Sequence, residues 1–181
     1  MRVISGNRRG TKLLGPKLDQ DGIRPTDDRV KEAVFNIIQP IKENCIVVDL
    51  FACTGSIGIE FLSRGARKAY FSELRYENVQ LIYKNLEKTK LLDNAVVLKG
   101  DFKKNLKKLG DHIDYVYIDP PYRSDLVEKS LTLMQDDELF SNSRFIVEME
   151  GFVDFSKTHD YKLLFSREYG RKVISIYERI K

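Results

Sequence analysis

From Ile46 onward the chain alternates short apolar runs with longer stretches whose apolar positions recur three and four residues apart. Ile46–Phe51 reads as apolar on both faces, the mark of a strand buried in a parallel sheet, and Ala69–Ser72, Ala95–Leu98, Tyr115–Ile118 and Phe145–Met149 read as further strands. Ser56–Arg64, stopped by Gly65, and Tyr76–Thr89, with Val79, Ile82, Tyr83 and Leu86 turned inward, carry helical spacing, as do 102–109 and 125–135. Tyr161–Phe165 and Val173–Ile180 alternate with period two, which predicts an antiparallel hairpin. Strand–helix alternation implies an α/β fold: a mostly parallel sheet with helices on both faces and that hairpin at one edge.

The chain before Ile46 has another character. Arg2–Leu14 alternates weakly around Gly6-Asn7-Arg8-Arg9-Gly10, a plausible hairpin with a basic turn. Thr26 stands where a helix N-cap belongs. Val30, Ala33, Val34, Ile37 and Ile38 then form one apolar stripe that Pro40 ends. We therefore expect a basic extension over 1–22, adding little apolar surface, before a single domain over 23–181. Hydrophobic residues make up 42% and charged residues 32% of the 181, the balance of a globular chain. Cys45 and Cys53 are too few for a disulfide framework or a cysteine-rich zinc site, and both read as small buried hydrophobes. No metal is expected. No signal peptide or membrane span is visible, so a cytoplasmic protein is expected.

Charge sharpens this picture. The net +4 is mild, but residues 1–17 hold Arg2, Arg8, Arg9, Lys12 and Lys17 with no acid. Lys99, Lys103, Lys104, Lys107 and Lys108 gather around Asp101. Both clusters suit a polyanion; the second also reads as a solvated face. His112 and His159 show no partner and are expected on the surface or in loops.

Two segments carry candidate chemistry. Asp49-Leu50-Phe51-Ala52-Cys53-Thr54-Gly55-Ser56-Ile57-Gly58 lies where the first strand hands over to its helix, where open parallel sheets bind ligands. Gly55 and Gly58 allow close backbone approach. Glu73, at the end of the second strand, is placed to accept from the two hydroxyls of a ribose. A dinucleotide site needs a full Gly-x-Gly-x-x-Gly. Here Cys53 replaces the first glycine, and the Asp49 carboxylate would repel a pyrophosphate. The same carboxylate suits the ammonium of a sulfonium-bearing amino-acid nucleoside.

The second segment, Asp119-Pro120-Pro121-Tyr122, follows the strand Tyr115–Ile118 at once. Two prolines cannot continue a sheet, so they make a stiff bay with free carbonyls. An exocyclic amine of a base is a poor nucleophile because its lone pair is delocalised into the ring. Acceptors around its two N–H groups, the Asp119 carboxylate and the Pro120 carbonyl, hold it and aim the lone pair at a methyl donor. Tyr122 offers a face on which a flipped base stacks. Positioning then supplies most of the catalysis.

In this order, Asp49–Gly58, Glu73, Asp101-Phe102 and Asp119–Tyr122 resemble the class I, S-adenosylmethionine-dependent amino-methyltransferases. Met1-Arg-Val-Ile-Ser-Gly, Arg9-Gly10-x-Lys12-Leu13 and Arg24-Pro25-Thr26-x-x-Arg29-Val30-Lys31-Glu32-Ala33-Val34-Phe35-Asn36 narrow the resemblance to the RsmD family, bacterial 16S ribosomal RNA guanine-N2 methyltransferases. It spans nearly the whole chain. The resemblance implies a Rossmann-like fold with S-adenosylmethionine as cofactor. Asp49, Phe51, Cys53, Gly55 and Gly58 would lie at its methionine end, Glu73 at the ribose, and Asp101 and Phe102 at the adenine. Asp101 also reads as an ordinary helix N-cap. Arg24, Thr26 and Arg29 would sit near the mouth, with Arg2, Arg8, Arg9 and Lys12 on the RNA. The expected partner is ribosomal RNA within an assembling small subunit, met by a monomer. Cys53 departs from the family's usual glycine. An adenine-N6 methyltransferase and a non-catalytic RNA-binding protein remain alternatives; the chain lacks the target-recognition region that the former would use on DNA.

Overall fold

A computed structural model describes residues 1–16, 28–121 and 125–180. Arg24, Tyr122 and Thr26, the expected helix cap, lie outside the described residues. The elements run α1 (Asp28–Ile37), β1 (Ile46–Asp49), α2 (Ser56–Ser63), β2 (Lys68–Glu73), α3 (Tyr76–Thr89), β3 (Ala95–Lys99), α4 (Phe102–Leu106), β4 (Tyr115–Ile118), α5 (Leu126–Met134), β5 (Arg144–Glu150), β6 (Tyr161–Tyr169) and β7 (Lys172–Arg179). Seven strands form one sheet in the order β3-β2-β1-β4-β5-β7-β6. The first five are parallel, and β7 runs antiparallel between β5 and β6. The α/β expectation with a terminal hairpin therefore holds. The hairpin is longer than its alternation suggested, and α4 is shorter than 102–109.

The order reverses between β1 and β4, so the crevice at their carboxyl ends is the topological switch point. One face of the sheet follows a simple rule. Val47, Phe71, Tyr117, Ile146 and Ile174 pack in one core cluster. Two residues further toward the same edge, on the same face, stand Asp49, Glu73, Asp119, Glu148 and Lys172. Each of these five strands thus carries an apolar anchor below and a charged side chain above.

The N-terminal segment forms a short, irregular hairpin. An antiparallel bridge joins Arg2 to Lys12, the amides of Val3, Gly10 and Leu13 donate to Thr11 O, Val3 O and Met1 O across it, and Gly6–Arg8 forms a 3-10 turn at its tip. Its apolar contribution is larger than expected: Val3 and Leu13 are buried in the core. The segment lies across α2, all eight residues of which are buried. Gly6 is required by this approach, since a Cβ there would meet the Ser63 carbonyl oxygen at 1.8 Å. Glu60 of α2 accepts from the amides of Ile4 and Ser5 at 2.8 and 2.9 Å and from Arg64 Nε at 2.8 Å. Lys31, equally buried, lies 3.5 Å from Glu60. These partners satisfy a carboxylate that would otherwise be costly to bury. One smaller expectation fails: Tyr83 is exposed rather than inward, because Val79, Ile82 and Leu86 already fill the inner stripe of α3. His159 stands in a loop as expected, and there its ring meets the hydroxyls of Thr132 and Thr158, each at 2.9 Å.

Candidate active site

The carboxyl ends of β1, β2 and β4 and the start of α4 enclose a cavity of about 530 Å³, a size typical of small-molecule sites. Asp49, Phe51, Cys53, Glu73, Asp101, Phe102, Asp119, Pro120 and Pro121 all line it. Seventy residues separate Asp49 from Asp119, yet the β1–β4 pairing sets their strands side by side.

At the β1–β2 end the acids hold backbone. Asp49, fully buried, accepts from the Gly58 amide at 3.0 Å. Burial pushes its carboxyl up to about 7, against the pull of that amide. Glu73 accepts from the amides of Cys53 and Arg75, both at 2.8 Å. Each Glu73 oxygen keeps a lone pair for a further donor. Cys53 has φ +49°, in the left-handed region that favours glycine; this is why a glycine suits the position its side chain occupies. Burial, then the nearby Glu73 charge, pushes its thiol up to about 12. Gly55 and Gly58 are not brought into the lining. Gly55 precedes α2, and a Cβ at Gly58 would come within 2.3 Å of the Phe71 ring. Gly58 serves close packing of helix on sheet.

The β3–α4 turn closes the next wall. Asp101 caps α4, accepting from the Lys103 amide at 2.9 Å, so its capping role and its place in the lining coexist. Phe102 packs against Phe51 with ring centroids 5.3 Å apart. Asn105, which no motif singled out, donates to Leu98 O, Gly100 O and Ser72 Oγ within 3.0 Å and pins the turn.

At the β4 end Asp119 keeps 23% of its side chain open, toward the cavity. Burial raises its carboxyl above the usual range, Glu148 raises it further, and Lys172 opposes both. Lys172 lines the cavity and lies 3.7 Å from Asp119. Its ammonium also binds Glu148, whose other oxygen takes the Tyr117 hydroxyl. Sequence reasoning missed Glu148 and Lys172. Nothing along the chain marked them out, since Arg144 and Glu150 share the Glu148 face of β5 and Glu178 shares the Lys172 face of β7.

The basic N-terminal residues do not reach this cavity's lining. Arg2 is exposed, 3.9 Å from Asp28, and Arg9 and Lys12 are exposed. Arg8 is half-buried: its amide donates to Ser63 Oγ at 3.0 Å and its guanidinium approaches Lys90 O at 3.5 Å. Arg29 is exposed on α1.

Comparison with known proteins agrees with this architecture. The family model described as conserved hypothetical protein 95 matches residues 1–178. The chain is 34% identical to ribosomal RNA small subunit methyltransferase D of Haemophilus influenzae over 182 residues, 98% of this chain and 93% of that one. The protein of the same name from Escherichia coli K12 is 36% identical over 151 residues, 83% of this chain and 75% of that one. The solved structure of yhhF from Escherichia coli superposes with a TM-score of 0.84 at 30% identity, covering 99% and 98% of the two chains.

Proposed function

The chain belongs to the RsmD family, described as conserved hypothetical protein 95, and on that premise we propose that it methylates the exocyclic N2 amine of a guanine in small-subunit ribosomal RNA. The observation that carries the reading is convergence. The β1 turn and the Asp119-Pro120-Pro121 bay, remote in sequence, open into one cavity.

S-adenosylmethionine, as methyl donor, supplies an electrophilic methyl on a sulfonium. The cavity's own groups fit such a molecule: a buried carboxylate, Asp49, for an ammonium; Glu73 with spare lone pairs for a ribose; Phe102 and Asp101 for a purine ring and its amine. At the other end Asp119 and the Pro120 carbonyl accept the two N–H groups of the guanine amine and hold its lone pair toward the donor. Tyr122 stacks on the flipped base. The amine loses its proton after the methyl has moved, so no strong base is needed. Arg2, Arg9, Lys12 and Arg29 hold phosphates. Arg8, wedged against α2, ties that surface to the helix behind the β1 turn.

The test is to incubate the protein with radiolabelled S-adenosylmethionine and, in parallel, unmodified small subunits, their naked RNA, and DNA, then digest to nucleosides. Label in N2-methylguanosine from subunits or their RNA is expected. Label in an adenine, or none on any substrate, would overturn the reading.

A further inference from the structure

Glu148 and Lys172 belong to neither motif that builds the site, yet they stand on the face of the sheet that carries Asp49 and Asp119. Lys172 pairs in register with Glu150, and its side chain runs diagonally to Glu148, two residues away on the same face. Tyr117 pairs in register with Ile146 and reaches Glu148 by the same diagonal from the other side. A fully buried carboxylate is thus clamped between a hydroxyl and an ammonium. The ammonium faces Asp119 with its remaining reach.

We propose that Lys172 and Glu148 are positioning residues for methyl transfer: one cation, shared between Glu148 and Asp119, favours the ionised form of Asp119 and orients it toward the acceptor amine, while the Glu148 charge opposes that ionisation. The proposal rests on the methyltransferase reading of the site. Among the described residues, the groups that face Asp119 are Asp49 from β1, Cys53 from the β1–α2 turn, Tyr117 from β4, Glu148 from β5 and Lys172 from β7. Among these Lys172 is the cation. Asp49, Glu148 and burial all favour the protonated acid. A protonated Asp119 presents a donor where the amine needs an acceptor, so methyl transfer must fall away on the acid side of a pH profile. A positively charged neighbour moves that fall to lower pH, and a negative one moves it higher.

Two opposite displacements follow. Glu148→Gln keeps shape and removes a negative charge, so the acid limb of the methyl-transfer rate moves down, by roughly one pH unit or more. Lys172→Met removes the cation, and the limb moves up by a similar amount, with rate recovered in alkaline buffer. A purely structural role would scale the rate at every pH and leave both limbs in place. The carboxyl of Asp119 is also followed directly by 13C-aspartate NMR, its resonance identified by its loss in Asp119→Asn. If Lys172→Met does not fold, Glu148→Gln decides alone. An acid limb and a 13C titration that both stay where they are in Glu148→Gln overturn the proposal. Wild-type protein that transfers no methyl under any condition refutes the methyltransferase reading instead, and the titration still judges the network.

Discussion

The two ends of the cavity are built differently. At the β1–β2 end acidic side chains are occupied by backbone: Asp49 with the Gly58 amide, Glu73 with those of Cys53 and Arg75. At the β4–β7 end they are occupied by other side chains, through Tyr117, Glu148 and Lys172. A carboxylate that holds a turn shapes the pocket; one in a charge network sets its own protonation. Removing the first should damage binding, and removing the second should damage chemistry.

That contrast breaks most visibly in a paired substitution. Asp119→Asn should lower methyl transfer by at least about 100-fold, with little change in cofactor affinity, because it aims the acceptor and not the donor. Glu73→Ala should do the reverse, weakening S-adenosylmethionine and its demethylated product by roughly 1.5–3 kcal/mol. Calorimetry alongside single-turnover rates separates the two. Equal losses in rate and affinity in both variants would erase the distinction.

A smaller effect concerns Asp49, whose carboxyl burial raises to about 7. A raised carboxyl favours the fold while protonated. Its contribution is complete below the ordinary aspartate range and is lost as pH rises through about 7. Stability should therefore decline between acid and neutral pH by on the order of 2 kcal/mol. Asp49→Asn should flatten that part of the profile in urea melts at pH 5 and pH 8. A ligand ammonium beside Asp49 favours its charged form, so cofactor binding near neutrality should release a proton. Heats of binding that do not vary with the ionisation enthalpy of the buffer would contradict this.

The smallest expected change sharpens the backbone side of the comparison. Cys53→Gly relieves a left-handed residue at the turn that Glu73 holds. The relief, partly offset by glycine's greater freedom in the unfolded chain, should leave about 0.5 kcal/mol of stabilisation. Thermal melts would register it as a small rise in Tm. A fall would mean that the Cys53 side chain contributes packing that outweighs its backbone strain.

Much of this molecule was legible in the amino-acid order because the information is local. Apolar runs of strand length, helical spacing and turn residues depend on neighbours a few positions apart, so β1 to β5, α2, α3 and the terminal hairpin could be read directly. The acids that end strands, Asp49, Glu73 and Asp119, could be read for the same reason, each closing an apolar run. What depends on side chains meeting across strands could not. Tyr83 fits the helical stripe but finds no core left to enter. Gly58 looks like a ligand glycine until Phe71 is seen packed against it. Arg8 sits in a basic run, and only the docking of that run on α2 half-buries it. Glu148 and Lys172 are unremarkable charges 24 residues apart until β7 inserts antiparallel beside β5. The chain's own order determined the strands, the helices between them and the acids that close the strands. Tertiary structure alone decided which charges share a proton's fate, because electrostatic coupling depends on distance and burial rather than on separation along the chain.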